Sequence, residues 1–391
     1  MYIKKKIAVL GLGTHQLDAL KYIKNIYNIV GFDEDKFCPG KKYAKKFYNF
    51  GLNKKNEIIN ICKKEKIIFA TSFCTEFFLQ LSFEINFKIN KDLNFEIIKE
   101  ISNKKICKEK IFKFEPSILP KFISIDKNNL KKISIKNFLP SVIKPIYGSG
   151  SKGVTFIKSK KELHNTYEKN KKIYKKGALI EEYIPGTEYA IDGWVYHNKF
   201  QFCCLSKKET SKKPFMLDTA LIVNYRNKKL INLGKKLVEK LLKIFNFNNV
   251  PVHVEFKIKK GVLKLIDFST RGPGFGVYTN IMSKIIRMNT TKIQIDLMRN
   301  KEINFKNKNQ NFFYLHFLYS KPGKLIKFEG LEKIIRKYKA QIKLFKKIGD
   351  ISTGYKSGND RIGQIVIQDK DINNLKKKIK FINNNTKIYV E

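Results

Sequence analysis

Apolar and polar positions near the start of the chain follow the pattern of a strand, a helix and a second strand. The run from Ile7 to Leu10 is continuously apolar, the turn Gly11-Leu12-Gly13 follows it, and a helical segment leads to a second apolar run that ends at Asp33. Parallel strands that are buried on both faces have continuous apolar runs of this kind. Further helix and strand segments follow, so we expect residues 1–100 to form a small doubly wound α/β layer.

The pattern changes after about residue 115. One helix is predicted over the segment that starts at Asn94 and ends before Pro116 and Pro120, and these prolines mark a domain boundary. Strands and helices then alternate to about residue 300, and a helix near Gly330 to Tyr338 and short terminal strands complete the chain. The expected fold class is therefore α/β followed by α+β.

Composition narrows the class of protein. Hydrophobic residues make up 42% of the 391 residues, which indicates a globular chain of two or three domains, and no run of about 18 apolar residues predicts a membrane span. The six cysteines lack the spacing of disulfides or zinc ligands, which fits a reducing cytoplasm. The net charge of +46 comes mainly from lysine, with six arginines, whereas specific reading of bases favours arginine. Two explanations of the high net charge stay open: compositional drift toward lysine, or a surface that binds polyanions.

A glycine-rich loop separates two apolar runs in the middle of the chain. Val142-Ile143 and residues 154–157 read as the strands of a hairpin, and the segment between them contains Gly148, Gly150 and Gly153. Glycines allow backbone N–H groups to turn toward a ligand, and Lys144 on the entering strand adds a fixed positive charge. The loop therefore suits a polyphosphate, while a plain hairpin turn is the alternative.

A second hairpin carries two carboxylates. The alternating runs on either side of Lys259-Lys260-Gly261 predict antiparallel strands that place Glu255 opposite Asp267, with Cβ atoms about 5 Å apart. The same face also carries His253, two residues before Glu255, and Ser269 and Arg271, which follow Asp267 at the strand period of two. Two carboxylates this close repel each other unless a cation lies between them, which favours a Mg²⁺ site that phosphates complete. An exposed hairpin neutralised by lysines is the alternative.

These pieces, in this order, resemble the ATP-grasp superfamily, and the resemblance covers essentially the whole chain. It implies a Rossmann-like pre-ATP-grasp domain over residues 1–100, two nucleotide-binding lobes over 101–303 and a C-terminal α+β part over 304–391. The mobile glycine loop would span residues 147–153. The hinge between the lobes would be 181–188, and the metal-binding strands would lie within 251–271.

The resemblance also implies a role for individual residues. The nucleotide would contact Lys104, Lys144, Ser149, Gly150, Ser151, Lys152, Gly153, Glu181, Glu182, Tyr183, Ile184 and Glu188. Glu255, Asp267 and Ser269 would bind Mg²⁺ or Mn²⁺, and Lys144 and Arg271 would be catalytic. Asp267 and Ser269 stand where the family more often has Glu and Asn, which leaves the number of metal ions open.

The resemblance implies an enzyme that uses ATP and Mg²⁺ to join a carboxylate to an amine through an acyl phosphate, releasing ADP and phosphate. The tail further resembles the branch that ligates amino acids to amines. The expected partners are small molecules in the cytoplasm, without a specific nucleic acid or a membrane span, and a homodimer is one of the open oligomeric states. Two rival functions are an NAD(P)-dependent oxidoreductase, whose fingerprint lacks its third glycine because Gln16 stands there, and a lysine-rich polyanion-binding protein.

Overall fold

The computed structural model of the chain describes residues 4–76, 78–92, 94–304 and 309–391. Its N-terminal part is a parallel α/β layer. The elements are β1 (Lys6–Leu10), α1 (Leu17–Ile23), β2 (Asn28–Phe32), β3 (Lys46–Tyr48), α2 (Lys55–Lys64), β4 (Ala70–Thr71) and α3 (Leu79–Asn90). The parallel strands lie in the order β3-β2-β1-β4. The apolar runs predicted the central strands, but they missed β3, because this three-residue edge strand is only partly buried.

The single helix predicted before Pro116 is two helices, and that prediction was wrong. They are α4 (Asn94–Ser102) and α5 (Lys104–Phe114). The break is at Asn103, whose extended backbone and side-chain oxygen cap α5 by accepting the N–H groups of Lys105 and Ile106. Asparagine satisfies free N–H groups at a helix start, which favours a new helix over a continuous one. The break places Lys104 in the first turn of α5.

A small antiparallel sheet forms the first lobe. Its elements are β5 (Phe122–Ile125), β6 (Ser141–Pro145), β7 (Thr155–Ile157), α6 (Lys160–Lys169) and β8 (Ala178–Glu182). The strands lie in the order β5-β8-β6-β7. The predicted hairpin around the glycine loop is present, because β6 and β7 pair with Ser141 opposite Ile157. The loop therefore projects from the edge of this sheet.

The remaining elements form a second lobe and its C-terminal extension. They are β9 (Glu188–Tyr196), β10 (Lys199–Thr210), β11 (Asp218–Val223), α7 (Lys228–Phe245), β12 (Val250–Lys259), β13 (Val262–Ser269), α8 (Ser283–Ile286), α9 (Thr290–Met298), β14 (Phe312–Leu318), β15 (Gly323–Glu329), α10 (Leu331–Tyr338), β16 (Gln341–Leu344), β17 (Ile351–Ser352), β18 (Gly363–Asp369), α11 (Ile372–Asn385) and β19 (Lys387–Val390). A π-helical turn over Val277–Met282 precedes α8. The helix predicted near Gly330 to Tyr338 is α10.

An eight-stranded antiparallel sheet organises this second lobe. Its order is β13-β12-β9-β10-β11-β14-β18-β16, and β15 pairs with β17 and β19 in a separate small sheet. Strand β14 joins β11 through pairs such as Ala220 with His316. The predicted boundary at residue 304 therefore crosses a continuous sheet.

Both faces of the large sheet are covered by apolar side chains. Leu237 of α7 packs with Val254 and Phe256 on one face, and Trp194 packs with Tyr278 on the other. Ile295 of α9 belongs to the core of the N-terminal layer, so the second lobe and the N-terminal part share a packed boundary. None of the described helices is long and apolar enough to cross a membrane.

Candidate active site

A cleft of about 170 Å³ lies between the four-stranded antiparallel sheet of the first lobe and the eight-stranded sheet of the second lobe. It brings together most of the residues that the sequence singled out, although they are far apart in the chain. The predicted residues that line it are Lys104, Lys144, Ser149, Gly150, Ser151, Lys152, Glu181, Glu182, Tyr183, Ile184, Glu188, Glu255, Asp267 and Arg271. Gly153 and Ser269 are the two predicted residues that do not line it.

The glycine loop presents backbone donors to this cleft. Gly148 and Gly150 have φ angles of 146° and 64°, which favour glycine. The N–H groups of Ser149, Gly150 and Ser151 donate no hydrogen bond to any residue within the described ranges. Gly153 turns away from the cleft, because its carbonyl accepts the Tyr174 hydroxyl at 2.6 Å. Free donors at the tip of a hairpin are the arrangement that binds phosphate oxygens.

Strands β12 and β13 place Glu255 directly opposite Asp267, as predicted. A regular ladder from the turn would instead pair Glu255 with Ile266, because Phe256 pairs with Leu265. A β-bulge at this point leaves Ile266 unpaired and restores the carboxylate pair. The carbonyl of Ile266 accepts the Lys144 ammonium at 2.9 Å, so the bulge also contacts the first lobe.

Lysines neutralise the two facing carboxylates. The Lys104 ammonium is 2.5 Å from Asp267 Oδ1, and the Lys208 ammonium is 2.6 Å from Glu255 Oε1. Burial alone would raise the pKa of both carboxyls, but Lys104 and Lys144 hold the pKa of Asp267 below its usual value, and Lys208 and His253 hold that of Glu255 well below it. Both side chains are therefore ionised near neutral pH, and their mutual repulsion is offset by these cations.

The carboxylate pair keeps oxygens that a metal ion could use. Glu255 Oε2 and Asp267 Oδ2 accept no hydrogen bond from the part of the chain that the structure describes. Within those same ranges, no group of three or more His, Cys, Asp or Glu side chains is arranged around a common point. Two carboxylate oxygens with the remaining positions left to water and phosphate are the donor set that Mg²⁺ takes in nucleotide sites. The residues therefore fit this ion.

Lys144 is held by a buried ion-pair cluster. Its ammonium is 2.7 Å from Glu181 Oε1, and the Lys108 ammonium is 3.3 Å from the same oxygen. Burial lowers the pKa of Lys108 to about 8, against the opposing effect of Glu181. The Glu181 carboxylate, which is buried in the lining of the cleft, therefore fixes the position of Lys144.

The rest of the hinge contacts the second lobe. Glu182 pairs with Lys259, and the Ile184 carbonyl accepts the Lys257 ammonium at 3.3 Å. The Tyr183 ring packs edge-on against Phe156 with centroids 4.9 Å apart. Residues 182–184, which were predicted to contact adenine, thus line the cleft and are held there by these contacts.

Among the cleft residues that sequence reasoning missed, Lys208 makes the most ion pairs. Its ammonium contacts Glu188 at 2.6 Å, Glu255 at 2.6 Å and Asp218 at 3.1 Å. The side chain is 6% exposed, and Ser206, two residues earlier on β10, is buried on the same face. A lysine at an inward position of a strand was the available indication, but the many lysines of this chain concealed it.

His253 and Asp192 complete the floor beside Glu255. The imidazole contacts Asp192 Oδ1 at 2.6 Å through Nδ1 and Glu255 Oε1 at 3.2 Å through Nε2. Burial alone would lower the pKa of His253, but the Asp192 and Glu255 carboxylates outweigh burial and raise the pKa to about 9. The ring is therefore a cation that is held between two carboxylates.

Ser269 and Arg271 face a residue from the N-terminal layer. Ser269 Oγ donates to Glu76 Oε2 at 2.7 Å, and Arg271 Nε donates to the same oxygen at 2.8 Å. Glu76 follows β4 and was not predicted as a site residue. It fixes the Arg271 guanidinium at the edge of the cleft and engages the hydroxyl that was predicted to bind metal.

The N-terminal glycine turn is closed by its own side chains. The Leu12 N–H donates to Asp33 Oδ2 at 2.5 Å. The Gln16 amide donates to the carbonyls of Leu10 and Gly11, and its oxygen accepts the Phe73 N–H at 2.8 Å. The N–H groups of Gly11 and Leu12 are therefore engaged within the protein.

Comparisons with known proteins agree with this architecture. Residues 137–278 match the family described as the ATP-grasp domain. No curated protein matches the chain. The structure is similar to that of the L-amino acid ligase from Bacillus licheniformis, with a TM-score of 0.81 and 16% identity over 100% of both chains.

Two further solved structures share the fold. Phosphoribosylglycinamide synthetase from Anaerococcus prevotii has a TM-score of 0.73 and 19% identity over 99% of this chain and 100% of its own. The biotin carboxylase domain of 2-oxoglutarate carboxylase from Hydrogenobacter thermophilus, solved with MgADP, ADP and bicarbonate, has a TM-score of 0.70 and 14% identity over 100% of this chain and 92% of its own. The predicted fold class and family resemblance are confirmed: residues 137–278 match the ATP-grasp domain family, and the chain as a whole has the same fold as these solved structures.

Proposed function

We propose that the protein is an ATP- and Mg²⁺-dependent ligase that joins a carboxylate to an amine and releases ADP and phosphate. The observation that carries this proposal is the cleft in which unbonded N–H groups of the glycine loop, Lys144 and the Glu255–Asp267 pair face one another. Phosphoryl transfer needs mainly positioning and neutralisation of charge, which is what these groups supply.

The nucleotide lies along the cleft in this proposal. The N–H groups of residues 149–151, with Lys144 and Lys104, bind the phosphates, and the hinge 181–188 receives the adenine and ribose, with Glu188 near the ribose. Lys152 and Gly153 shape the loop. Lys208 pairs with both Glu188 and Glu255, so it links the ribose end of the cleft to its metal end.

Glu255 and Asp267 would hold Mg²⁺, or Mn²⁺, through the carboxylate oxygens that remain without a hydrogen bond. When bound, the ion neutralises the phosphate charge. Ser269 is a weaker candidate than either carboxylate, because its hydroxyl already donates to Glu76. This donor set supports one protein-bound ion better than two.

The reaction begins when an oxygen of the substrate carboxylate attacks the γ-phosphorus of ATP and the bond from that phosphorus to the bridging oxygen of ADP breaks. Lys144 and Arg271 stabilise the charge on the transferred group. The amine nitrogen then attacks the acyl carbon of the acyl phosphate, phosphate leaves, and the amine loses a proton. Water must be excluded during this interval, because it would hydrolyse the intermediate.

The substrates are small molecules in this proposal, and the fold similarity to an L-amino acid ligase makes amino acids the first amines to test. The six cysteines are free, which supports a cytoplasmic location. A homodimer stays a prediction. The lysine-rich surface requires no nucleic-acid partner in this account.

Trapping with hydroxylamine tests the proposed reaction. The enzyme with its carboxylate, Mg-ATP and hydroxylamine should form a hydroxamate in step with ADP, because this small nucleophile replaces the amine. The screen uses pools of amino acids and other carboxylates, and the nucleotide products are separated by chromatography. Arg271→Ala should suppress trapping, since its role is at the phosphoryl step. Formation of AMP and pyrophosphate in step with product would refute the proposed mechanism.

A further inference from the structure

A turn of the C-terminal extension lies against the glycine loop. The Gly358 N–H donates to the Gly150 carbonyl at 2.8 Å. Gly150 belongs to the first lobe, whereas Gly358 begins the short helical turn before β18 of the eight-stranded sheet. This hydrogen bond therefore connects the tip of the loop to the second lobe.

The turn that carries Gly358 is held by one carboxylate. Asp360 Oδ2 accepts the N–H groups of Lys356 at 2.9 Å and Ser357 at 2.7 Å, and Asp360 Oδ1 accepts the Thr353 hydroxyl at 2.5 Å. Ser357 in turn caps the short helical turn over Gly358–Asp360, in a capping box with Asp360. These bonds fix the direction of the Gly358 N–H.

Arg361 anchors the same turn to the second lobe. Its guanidinium lies between the rings of Phe275 and Phe317, 3.7 Å and 3.5 Å from their centroids, and Nε donates to the Tyr319 hydroxyl at 2.9 Å. The residue as a whole is 4% exposed. The turn is therefore a fixed part of the large sheet, against which the exposed glycine loop is positioned.

The contact also has little free space. A Cβ atom on Gly358 would lie 3.1 Å from the Gly150 oxygen and 3.5 Å from Phe275 Cζ. The backbone of Gly358 is outside the left-handed region, so alanine would be acceptable to the backbone itself and would act mainly on the glycine loop. A substitution at this position therefore tests the contact rather than the turn.

We propose that Gly358 is a positioning residue, held by Asp360, that fixes the glycine loop against the second lobe and so keeps its N–H groups directed into the cleft. The proposed function gives this contact its purpose, since a loop held across the cleft retains ATP and excludes water from the acyl phosphate. The contact itself is independent of which substrates are used.

Hydrogen exchange on the full-length protein tests the positioning directly. In Gly358→Ala, and more strongly in Asp360→Ala, the amides of residues 154 and 358, which donate to the Ser151 and Gly150 carbonyls, should exchange faster without nucleotide. The core strands β9 and β12 should keep their protection. Asp360→Asn should restore part of the protection, because one acceptor oxygen remains. Lys356→Ala is the matched control, because its side chain is exposed and its backbone N–H is retained.

Kinetics add a second readout. The KM for Mg-ATP should rise in Gly358→Ala, by up to about tenfold, with a smaller change in kcat. The Gly358 N–H is retained in this variant, but the added Cβ would lie 3.1 Å from the Gly150 oxygen and weaken the hydrogen bond by displacing the loop. Unchanged exchange of the amides of residues 154 and 358 in both Gly358→Ala and Asp360→Ala would overturn the positioning role, whatever the activity. Faster exchange in a protein that proves not to be a ligase would support the positioning role and reject only the proposed function.

Discussion

The turn at Gly11–Gly13 and the loop at Gly148–Gly153 each follow a buried strand, and each was a candidate site for phosphate. In the first, Asp33 and Gln16 bind the backbone groups of the turn. In the second, the N–H groups of residues 149–151 are unbonded within the described ranges and face two carboxylates across a cleft. The difference shows that a glycine-rich sequence identifies a turn, whereas the partners of its N–H groups decide whether the turn is free to bind a ligand.

The largest expected effect concerns the charge beside the second loop. Lys144→Ala should lower kcat/KM for ATP by about 10²–10³-fold, because the ammonium is held by Glu181 and the Ile266 carbonyl at the phosphate end of the cleft. Lys152→Ala should cost less than about tenfold, since Lys152 is exposed at the loop tip and the loop acts mainly through its backbone. Steady-state kinetics check the ranking, and equal losses would contradict it.

The second-largest expected effect is on thermal stability, where nucleotide binding distinguishes the two glycine-rich turns. Mg-ATP at a hundredfold excess over its Kd should stabilise the folded protein by about 2.7 kcal/mol, and NAD should leave the melting temperature unchanged. Differential scanning calorimetry with each nucleotide measures this. A shift with NAD and none with Mg-ATP would reverse the assignment of the two glycine turns and favour the oxidoreductase.

Asp33→Ala should separate structure from function in the first turn. The substitution leaves the buried Leu12 N–H without its acceptor, so the free energy of unfolding should fall by about 1.5–3 kcal/mol. The KM for ATP should stay the same, because the turn is outside the cleft. Urea denaturation and kinetics on the same preparation check both statements, and a raised KM for ATP with unchanged stability would contradict them.

The smallest effect is the acid sensitivity of His15, which follows the first turn. Burial lowers its pKa to about 4 from 6.5, with smaller contributions from Arg361 and Lys343. The folded state therefore binds fewer protons than the unfolded state between pH 6.5 and 4, and the free energy of unfolding should fall as the pH decreases through this window. The His15 share should be on the order of 1 kcal/mol, reduced by partial exposure to solvent.

His15→Gln should remove that share, and His197→Gln, at an exposed position, is the matched control. Urea denaturation at pH 7 and pH 4.5 compares the three proteins. An identical pH dependence in the original protein and in His15→Gln would show that this imidazole is not kept neutral by the fold.

Sequence patterns predicted the parts of the molecule that local chemistry determines. Continuous apolar runs indicated the parallel strands, and the glycines between two apolar runs indicated the loop, in which Gly148 and Gly150 have positive φ angles. The pairing of Glu255 with Asp267 was also predicted, although the simple ladder that suggested it would have paired Glu255 with Ile266. That pair depends on a bulge that no residue pattern announced.

The remaining features depend on contacts between distant segments. Lys208 could not be separated from the many surface lysines until β10 was placed between β9 and β11. Glu76 reaches Ser269 and Arg271 from the N-terminal layer, and such a contact has no local pattern. The helix break at Asn103 was not predicted, because the tendency of asparagine to cap a new helix was not weighed against continuation of the apolar pattern.

The unpaired Ile266 makes the length of the β12–β13 hairpin more critical than its composition. Leu265 and Asp267 would share one face of a regular strand, but the bulge lets Leu265 enter the core while Asp267 faces the cleft. A one-residue deletion between Gly261 and Asp267 would keep every charge of the cleft in the sequence and still turn one of these side chains to the wrong face. The number of residues in this short segment is therefore fixed more tightly than their identity.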